Sequence, residues 1–307
     1  MPMTTLEEFR ASFIGVCAVL VTPLRADGSL DIPSTERLAD HVARSRASTI
    51  TVGGSVAEFL ALGTDERLDV LVATVASVRG RRPVIAATGG ELRGAAREAA
   101  ASVDAGATAI MVHQPLNPFR ATAGWVAYHQ ALAGAVDPTP VVLYVRDAAV
   151  GAAALRELAD ACPNVVGIKY AVPDVLALAR LTEQLGARFT WLCGLAEKWA
   201  PFAWQAGARG FTSGLVNLDD TVPMALLQAL EAADLGGTRA AWARAAAFED
   251  LRARRGGGAS VGTVKTALTR LGVIADPTVR PPLDGLDAGE VAALDAVLAA
   301  GTLAAAV

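Results

Sequence analysis

The sequence predicts an α/β fold, a (β/α)8 (TIM) barrel with a small C-terminal helical appendage, and three observations carry that expectation. Eight short β-rich runs alternate with amphipathic, alanine-rich helical stretches. Each β-rich run is apolar along its length rather than alternating, as parallel strands covered on both faces require. The 307 residues hold one barrel of about 250 residues and a modest extension. An open doubly wound sheet is the alternative. Such a sheet ordinarily carries a nucleotide-type glycine fingerprint after its first strand, and here that strand runs into Thr22-Pro23-Leu24 instead.

In chain order, the strand-like runs cover residues 15–24, 48–54, 82–88, 107–114, 140–146, 164–171, 189–194 and 208–214. Helical patterns occupy 34–45, 65–78, 92–105, 153–161 and 175–185, spaced so that each return to the sheet is a crossover. Gly106 and Gly207 each stand just after a helix and before a strand, the position of a helix C-terminal glycine. Residues 219–236 are expected to form the last barrel helix, so the barrel is assigned to 1–236 and the appendage to 237–307. Within the appendage, 238–253, 261–271 and 288–300 read as helices, and Gly256-Gly257-Gly258 as a flexible loop between the first two.

Composition narrows the function class. With 53% hydrophobic and 19% charged residues the chain is a packed globular protein rather than a disordered one. Much of the apolar fraction is alanine, so positive mean hydropathy does not by itself imply a membrane protein. A net charge of −4 gives no general attraction to nucleic acid or anionic lipid. Residues 1–13 carry Glu7, Glu8 and Arg10 and no apolar core, unlike a secretory signal. The tail 291–307 is interrupted by Asp295 and Gly301, short of the roughly 20 apolar residues a spanning helix needs, and reads as a helix packed on its own protein. Cys17, Cys162 and Cys193 suit neither a disulfide framework nor a zinc site, and are expected to be buried thiols of a cytoplasmic protein. No His, Cys, Asp or Glu cluster has metal-ligand spacing.

Only three lysines, Lys169, Lys198 and Lys265, stand among the 27 basic residues Lys plus Arg. A lysine in an apolar strand therefore asks for a reason particular to an amine. Lys169 lies in Asn164-Val165-Val166-Gly167-Ile168-Lys169-Tyr170-Ala171, near the carboxyl end of the sixth strand, where barrel active sites lie. Strand alternation puts it on the face of Val165 and Gly167. If that face looks inward, burial disfavours an ammonium and leaves neutral amine able to attack a ketone. The alternative is a lysine reaching from a strand end to solvent. Tyr144 and Arg146 share a face of the preceding strand, placing a proton-moving phenol and a carboxylate-clamping guanidinium there; core tyrosine and surface arginine are the plainer readings. Gly53-Gly54-Ser55-Val56-Ala57-Glu58 follows the second strand, and backbone N–H groups with the Ser55 hydroxyl can hold a carboxylate at such a turn. Lys198, at a helix start, is expected to be exposed; Lys265 falls in the appendage.

These stretches and their spacing resemble the dihydrodipicolinate synthase and N-acetylneuraminate lyase family over almost the whole chain. Thr22-Pro23 and Val279-Arg280-Pro281-Pro282-Leu283 belong to the resemblance. Glu58-Phe59-Leu60-Ala61-Leu62, Tyr144-Val145-Arg146-Asp147-Ala148-Ala149-Val150 and Cys162 to Lys169 are most similar to members that dehydrate 5-dehydro-4-deoxyglucarate. The resemblance implies a class I lyase acting on a 2-keto sugar acid, with Lys169 forming the imine and Tyr144 moving protons. It implies a carboxylate site at Gly54, Ser55 and Val56, no cofactor beyond the covalent imine, no metal, and a homo-oligomer, a tetramer by family habit.

Departures from the family pattern keep two further readings open. Val56 stands where a threonine hydroxyl usually helps the relay, and Ala57 where glycine is usual. The fourth strand ends in His113-Gln114-Pro115-Leu116-Asn117-Pro118 without the tyrosine pair of lysine-pathway synthases, which counts against that activity. His113 and Asn117 are candidates for contacting a hydroxylated substrate; for His113 a purely structural role is the alternative. Ser213, in Thr212-Ser213-Gly214-Leu215-Val216-Asn217, is a further candidate contact. A pyruvate-dependent aldolase and a non-catalytic keto-acid-binding relative remain alternatives to the dehydratase. An open-sheet, nucleotide-dependent oxidoreductase is the outlying third.

Overall fold

A computed structural model describes residues 5–119 and 121–301. Eight strands follow one another in sequence order around a closed barrel: β1 (Gly15–Val19), β2 (Thr49–Val52), β3 (Val84–Thr88), β4 (Ala109–His113), β5 (Val141–Val145), β6 (Val165–Tyr170), β7 (Thr190–Cys193) and β8 (Gly210–Ser213). Each lies inside one of the eight apolar runs. Nearly every strand residue is buried, which is why the runs show no alternation. The helices are α1 (Leu6–Ser12), α2 (Ile32–Ala43), α3 (Thr64–Val78), α4 (Leu92–Asp104), α5 (Thr122–Ala135), α6 (Ala152–Ala161), α7 (Val175–Leu185), α8 (Ala196–Gln205), α9 (Thr221–Glu231), α10 (Leu235–Arg252), α11 (Ser260–Arg270) and α12 (Ala288–Ala299). Two compact units make up the chain, residues 1–15 with 83–212 and residues 16–82 with 213–307.

In the first unit, β3 to β7 pair in parallel one after the next, with a register shift between β5 and β6 at Val141/Val142. Gly106 and Gly207 take left-handed φ values of 96° and 102°, ending α4 and α8 where the glycine signals place those ends. Gly167 answers to a different constraint, close approach. A Cβ there would lie 2.6 Å from the Phe13 ring, which, with the stacked Phe9 ring 5.5 Å away, packs beneath β6. Cys17, Cys162 and Cys193 are all buried.

His129 lies on the buried face of α5, against Trp125 with ring centroids 3.9 Å apart. Its Nδ1 is 2.7 Å from the Trp125 carbonyl, which can only accept, so the neutral ring carries its proton there. Burial pushes this imidazole down to about 4, with the bond to Trp125 opposing. Below its ordinary value near 6.5 the unfolded chain takes up a proton that the folded one refuses. The associated stability is therefore full above about pH 6.5 and lost as pH falls toward 4, by about 3 kcal/mol. His129→Leu is expected to flatten this acid limb. Urea midpoints compared at pH 7.5 and 5 measure it, and an unchanged pH slope in the variant refutes it.

In the second unit, β1 pairs with β2, with Cys17 opposite Thr49 and Val19 opposite Thr51. The first apolar run, 15–24, shortens to β1 because Thr22 turns its hydroxyl to the Ala57 carbonyl at 2.9 Å and Leu24 bridges back to Leu30. The expected helix 219–236 is corrected: α9 ends at Glu231, Ala233 takes a left-handed φ of 52°, and α10 begins at Leu235. Asp234 is the physical reason, since its carboxylate accepts from Gly237 N at 2.9 Å and caps α10, drawing Gly236 and Gly237 into a helix start. The stretch 256–258 is likewise no loose loop. It is a hydrogen-bonded turn through left-handed backbone, with Arg255, Gly256 and Gly257 at φ 55°, 63° and 94°, Gly257 N donating to Ala253 O at 3.1 Å and Gly258 N to Arg255 O at 3.1 Å. Asp287 and Glu290 form a capping box that starts α12. Of the tail 291–307, residues 302–307 lie outside the described residues, as do residues 1–4 of the amino-terminal segment.

Candidate active site

Register in the first unit brings three of the nominated residues together. His113 of β4 is opposite Tyr144 of β5, and Tyr144 is opposite Lys169 of β6, with Leu192 of β7 next along. In-register neighbours of a parallel sheet share a face, so His113, Tyr144 and Lys169 form one row near the strands' carboxyl ends. Lys169 is 4% exposed and Tyr144 5%, which removes the solvent-reaching alternative for this lysine. The Lys169 Nζ lies 4.1 Å from the Tyr144 ring centroid. The His113 ring meets Tyr144 edge-on at 5.2 Å, and the exposed Arg146 holds its guanidinium carbon 5.8 Å from the same ring. Arg146 is positioned by its backbone N–H, which donates to Gln114 Oε1 at 2.9 Å.

Asn117 sits on the exposed loop after β4, where its Oδ1 accepts from Phe119 N at 2.9 Å. A cavity of about 230 Å³ opens beside this loop, lined by Pro118, Trp125, Asp147 and Val150 among others; none of the nominated side chains lines it. Cys193, at the end of β7, has its thiol pushed up to about 12, first by burial and then by the Glu197 charge, so it is no nucleophile near neutrality.

In the second unit, the turn after β2 has the form its glycines and serine imply. Gly53 has a φ of 78°, and Gly54 precedes a 3-10 turn, Ser55–Ala57. Gly54 is required by close packing, since a Cβ would stand 2.4 Å from Val19 Cγ1. Ser55 is exposed, Val56 half-buried and Ala57 buried, with the Ala57 carbonyl held by Thr22. Ser213 is fully buried and its Oγ accepts from Val216 N at 2.9 Å, capping the 3-10 turn Leu215–Asn217. The Asn217 amide donates to Val19 O and Gly214 O, both at 2.8 Å.

One of the lysine expectations is corrected, and another gains a partner the sequence did not show. Lys198 is half-buried on the first turn of α8 rather than exposed. Lys265 is wholly buried on α11, ion-paired with Glu58, and also donates to Thr278 O at 2.7 Å. Burial pushes this ammonium down from its ordinary range, and the neighbouring Glu58 charge opposes the shift. The other Glu58 oxygen accepts from Arg280 N at 2.7 Å. Sequence reasoning missed this pair, although Glu58 and Arg280 both lay in quoted motifs. Among the described residues, no group of three or more His, Cys, Asp or Glu side chains is placed to hold a metal ion. No helix of the described residues is long and apolar enough to cross a membrane.

Comparison with known proteins gives the chain's kinship. The chain is 31% identical over 307 residues to the "Probable 5-dehydro-4-deoxyglucarate dehydratase" of Methylobacterium radiotolerans, covering 96% of this chain and 98% of that one. It is 33% identical to the 4-hydroxy-tetrahydrodipicolinate synthase of Sphingopyxis alaskensis, covering 94% and 98%. Among solved structures, dihydrodipicolinate synthase from Bacillus clausii superposes with a TM-score of 0.90 at 32% identity, covering 95% and 99%. The model of the dihydrodipicolinate synthetase family matches residues 12–300, and the chain is a member of that family.

Proposed function

We propose that this protein is a class I, Schiff-base-forming lyase that dehydrates a 2-keto sugar acid such as 5-dehydro-4-deoxyglucarate. One observation carries the reading: a buried lysine amine in register with, and 4.1 Å from the ring of, a buried tyrosine at the carboxyl ends of adjacent strands. On this reading the Lys169 amine adds to the ketone carbon, and water leaves to give the iminium. The iminium draws electrons from the neighbouring carbon, which loses a proton; hydroxide then leaves the next carbon, and hydrolysis frees the amine. Tyr144 carries the protons that these steps release and require.

The substrate carboxylate is assigned to Ser55 and the backbone N–H groups of the Gly54, Ser55 and Val56 turn, following the family resemblance. Arg146 is assigned the distal carboxylate of a diacid, through paired hydrogen bonds. His113 and Asn117 are assigned substrate hydroxyls and Ser213 a supporting contact. Kinship with both a dehydratase and a synthase supports the lyase class, and the motif around Tyr144 favours dehydration over aldol cleavage. A homo-oligomer, with the tetramer as its assembly, is proposed from the family resemblance alone. No nucleic acid, membrane or cofactor enters the reading.

A second reading, keto-acid binding without turnover, draws on Val56, whose side chain has no hydroxyl for a relay. Borohydride reduction in the presence of a panel of 2-keto sugar acids and pyruvate, read by intact mass, decides between these. The expected result is a stoichiometric adduct with the sugar acid at its dehydrated mass. An adduct only at the unreacted mass favours binding without turnover, and no adduct at all overturns the lysine mechanism.

A further inference from the structure

We propose that Glu58 is a positioning residue, whose carboxylate, held by the Lys265 ammonium and the Arg280 backbone N–H, fixes the Ser55–Ala57 turn in its carboxylate-binding shape. The inference rests on the reading of that turn as the carboxylate site.

The chain here makes two successive 3-10 turns, Ser55–Ala57 and Phe59–Ala61, joined at Glu58. At the joint Glu58 has φ 60° and ψ 34°, a left-handed conformation that side-chain-bearing residues seldom adopt. Local preference therefore does not hold the joint. Weak turn bonds do part of it, Ala57 N to Gly54 O at 2.9 Å, Glu58 N to Ser55 O at 3.3 Å and Ala61 N to Glu58 O at 2.8 Å.

Thr22 holds the Ala57 carbonyl at 2.9 Å, and the Glu58 side chain anchors the joint itself. It is 2% exposed, and both oxygens are committed: one to Lys265 Nζ, the other to Arg280 N at 2.7 Å. Both donors are themselves anchored. Lys265 also donates to Thr278 O, and the Arg280 guanidinium spans Gly28 O at 2.9 Å, Ala61 O at 3.1 Å and the two Glu66 oxygens at 2.7 and 2.5 Å. Glu66 opens α3 by accepting from Gly63 N at 2.9 Å, so the end of this loop is tied to the same cluster.

Cohesion alone does not call for this arrangement. A buried ion pair gains little stability over apolar residues of the same volume, because desolvation offsets the attraction. What it adds is direction, since two oxygens bound to two fixed donors leave the joint one orientation. The exposed Ser55 is three residues away, and any rotation about the joint displaces it.

The test compares Glu58→Gln and Glu66→Gln with the parent protein by borohydride trapping of two ketones, pyruvate and hydroxyacetone, the second of which has no carboxylate. In Glu58→Gln the pyruvate concentration for half-maximal trapping is expected to rise about tenfold or more, while hydroxyacetone trapping stays within about twofold. In Glu66→Gln, which keeps the pair but loosens Arg280, the expected rise is about threefold. Circular dichroism normalises each rate to folded protein. Should Glu58→Gln not fold, Glu66→Gln, whose carboxylate is partly exposed, decides alone. An unchanged pyruvate half-saturation, or an equal loss with both ketones, overturns the proposal. A parent protein trapped by neither ketone overturns the lysine reading and this inference with it.

Discussion

Lys169→Met is expected to abolish borohydride trapping of 2-keto acids and to lower kcat/KM by about 10³-fold or more. The melting temperature should stay equal or rise. The two outcomes share one cause. At 4% exposure the amine gives up most of its hydration, a cost that folding bears because the reaction needs a nucleophile there. Methionine keeps the stem of the side chain and its packing but has no polar head to desolvate, so the swap is close to volume-conserving. Lys169→Ala should lose activity equally but melt lower, because truncation leaves a cavity beside Tyr144. Intact mass after reduction and a thermal melt measure the two limbs together. Retained trapping in either variant places the reactive amine elsewhere, and Lys265, wholly buried on α11, is then the residue to substitute next.

Tyr144→Phe separates the ring from the hydroxyl. The ring is what Lys169 Nζ approaches at 4.1 Å, what His113 meets at 5.2 Å and what Arg146 approaches at 5.8 Å, and phenylalanine keeps all three contacts. The hydroxyl, the proton carrier of the proposed mechanism, is lost. If Tyr144 moves protons, kcat falls by about 10² to 10⁴, a range typical of a lost acid–base group. The adduct with pyruvate should still form, more slowly, with half-saturation within about tenfold of the parent. Stopped-time trapping against steady-state turnover distinguishes the steps. Undiminished turnover assigns the proton transfers to another group, whereas complete loss of trapping makes the hydroxyl essential to imine formation itself.

What the sequence disclosed depended on the range of the interaction. Strand identity is a local property, and residues 164–171 could be read as β6 because a doubly covered strand needs an unbroken apolar run. Strand alternation placed Lys169 on the Gly167 face and Tyr144 on the Arg146 face, and register then set Tyr144 beside Lys169. The boundary between α9 and α10 was misplaced because a glycine pair resembles a helix end, while one carboxylate, Asp234, turns it into a helix start. The Glu58–Lys265 pair was not legible at all. Its partners are 207 residues apart, and no local pattern links a loop glutamate to a lysine on a distant helix. Of the three lysines, Lys169 and Lys265 are buried and Lys198 is half-buried. The strand criterion chose Lys169 by its place near a barrel strand's carboxyl end, and nothing comparable flagged α11.

The aromatic packing under β6 bears on how deep the reactive amine sits. Residue 167 lies two positions below Lys169 on the same side of the strand and contributes no side chain, so its space is filled by Phe13, just past the end of α1. The segment that ends the first helix thus acts as a shim, supplying from outside the strand the bulk that residue 167 lacks. A designer wishing to move apolar volume toward the amine has a handle far along the chain from it: shrinking residue 13 while enlarging residue 167, with Val142 of β5, whose Cγ2 would stand 3.3 Å from the new Cβ, the neighbour that must give.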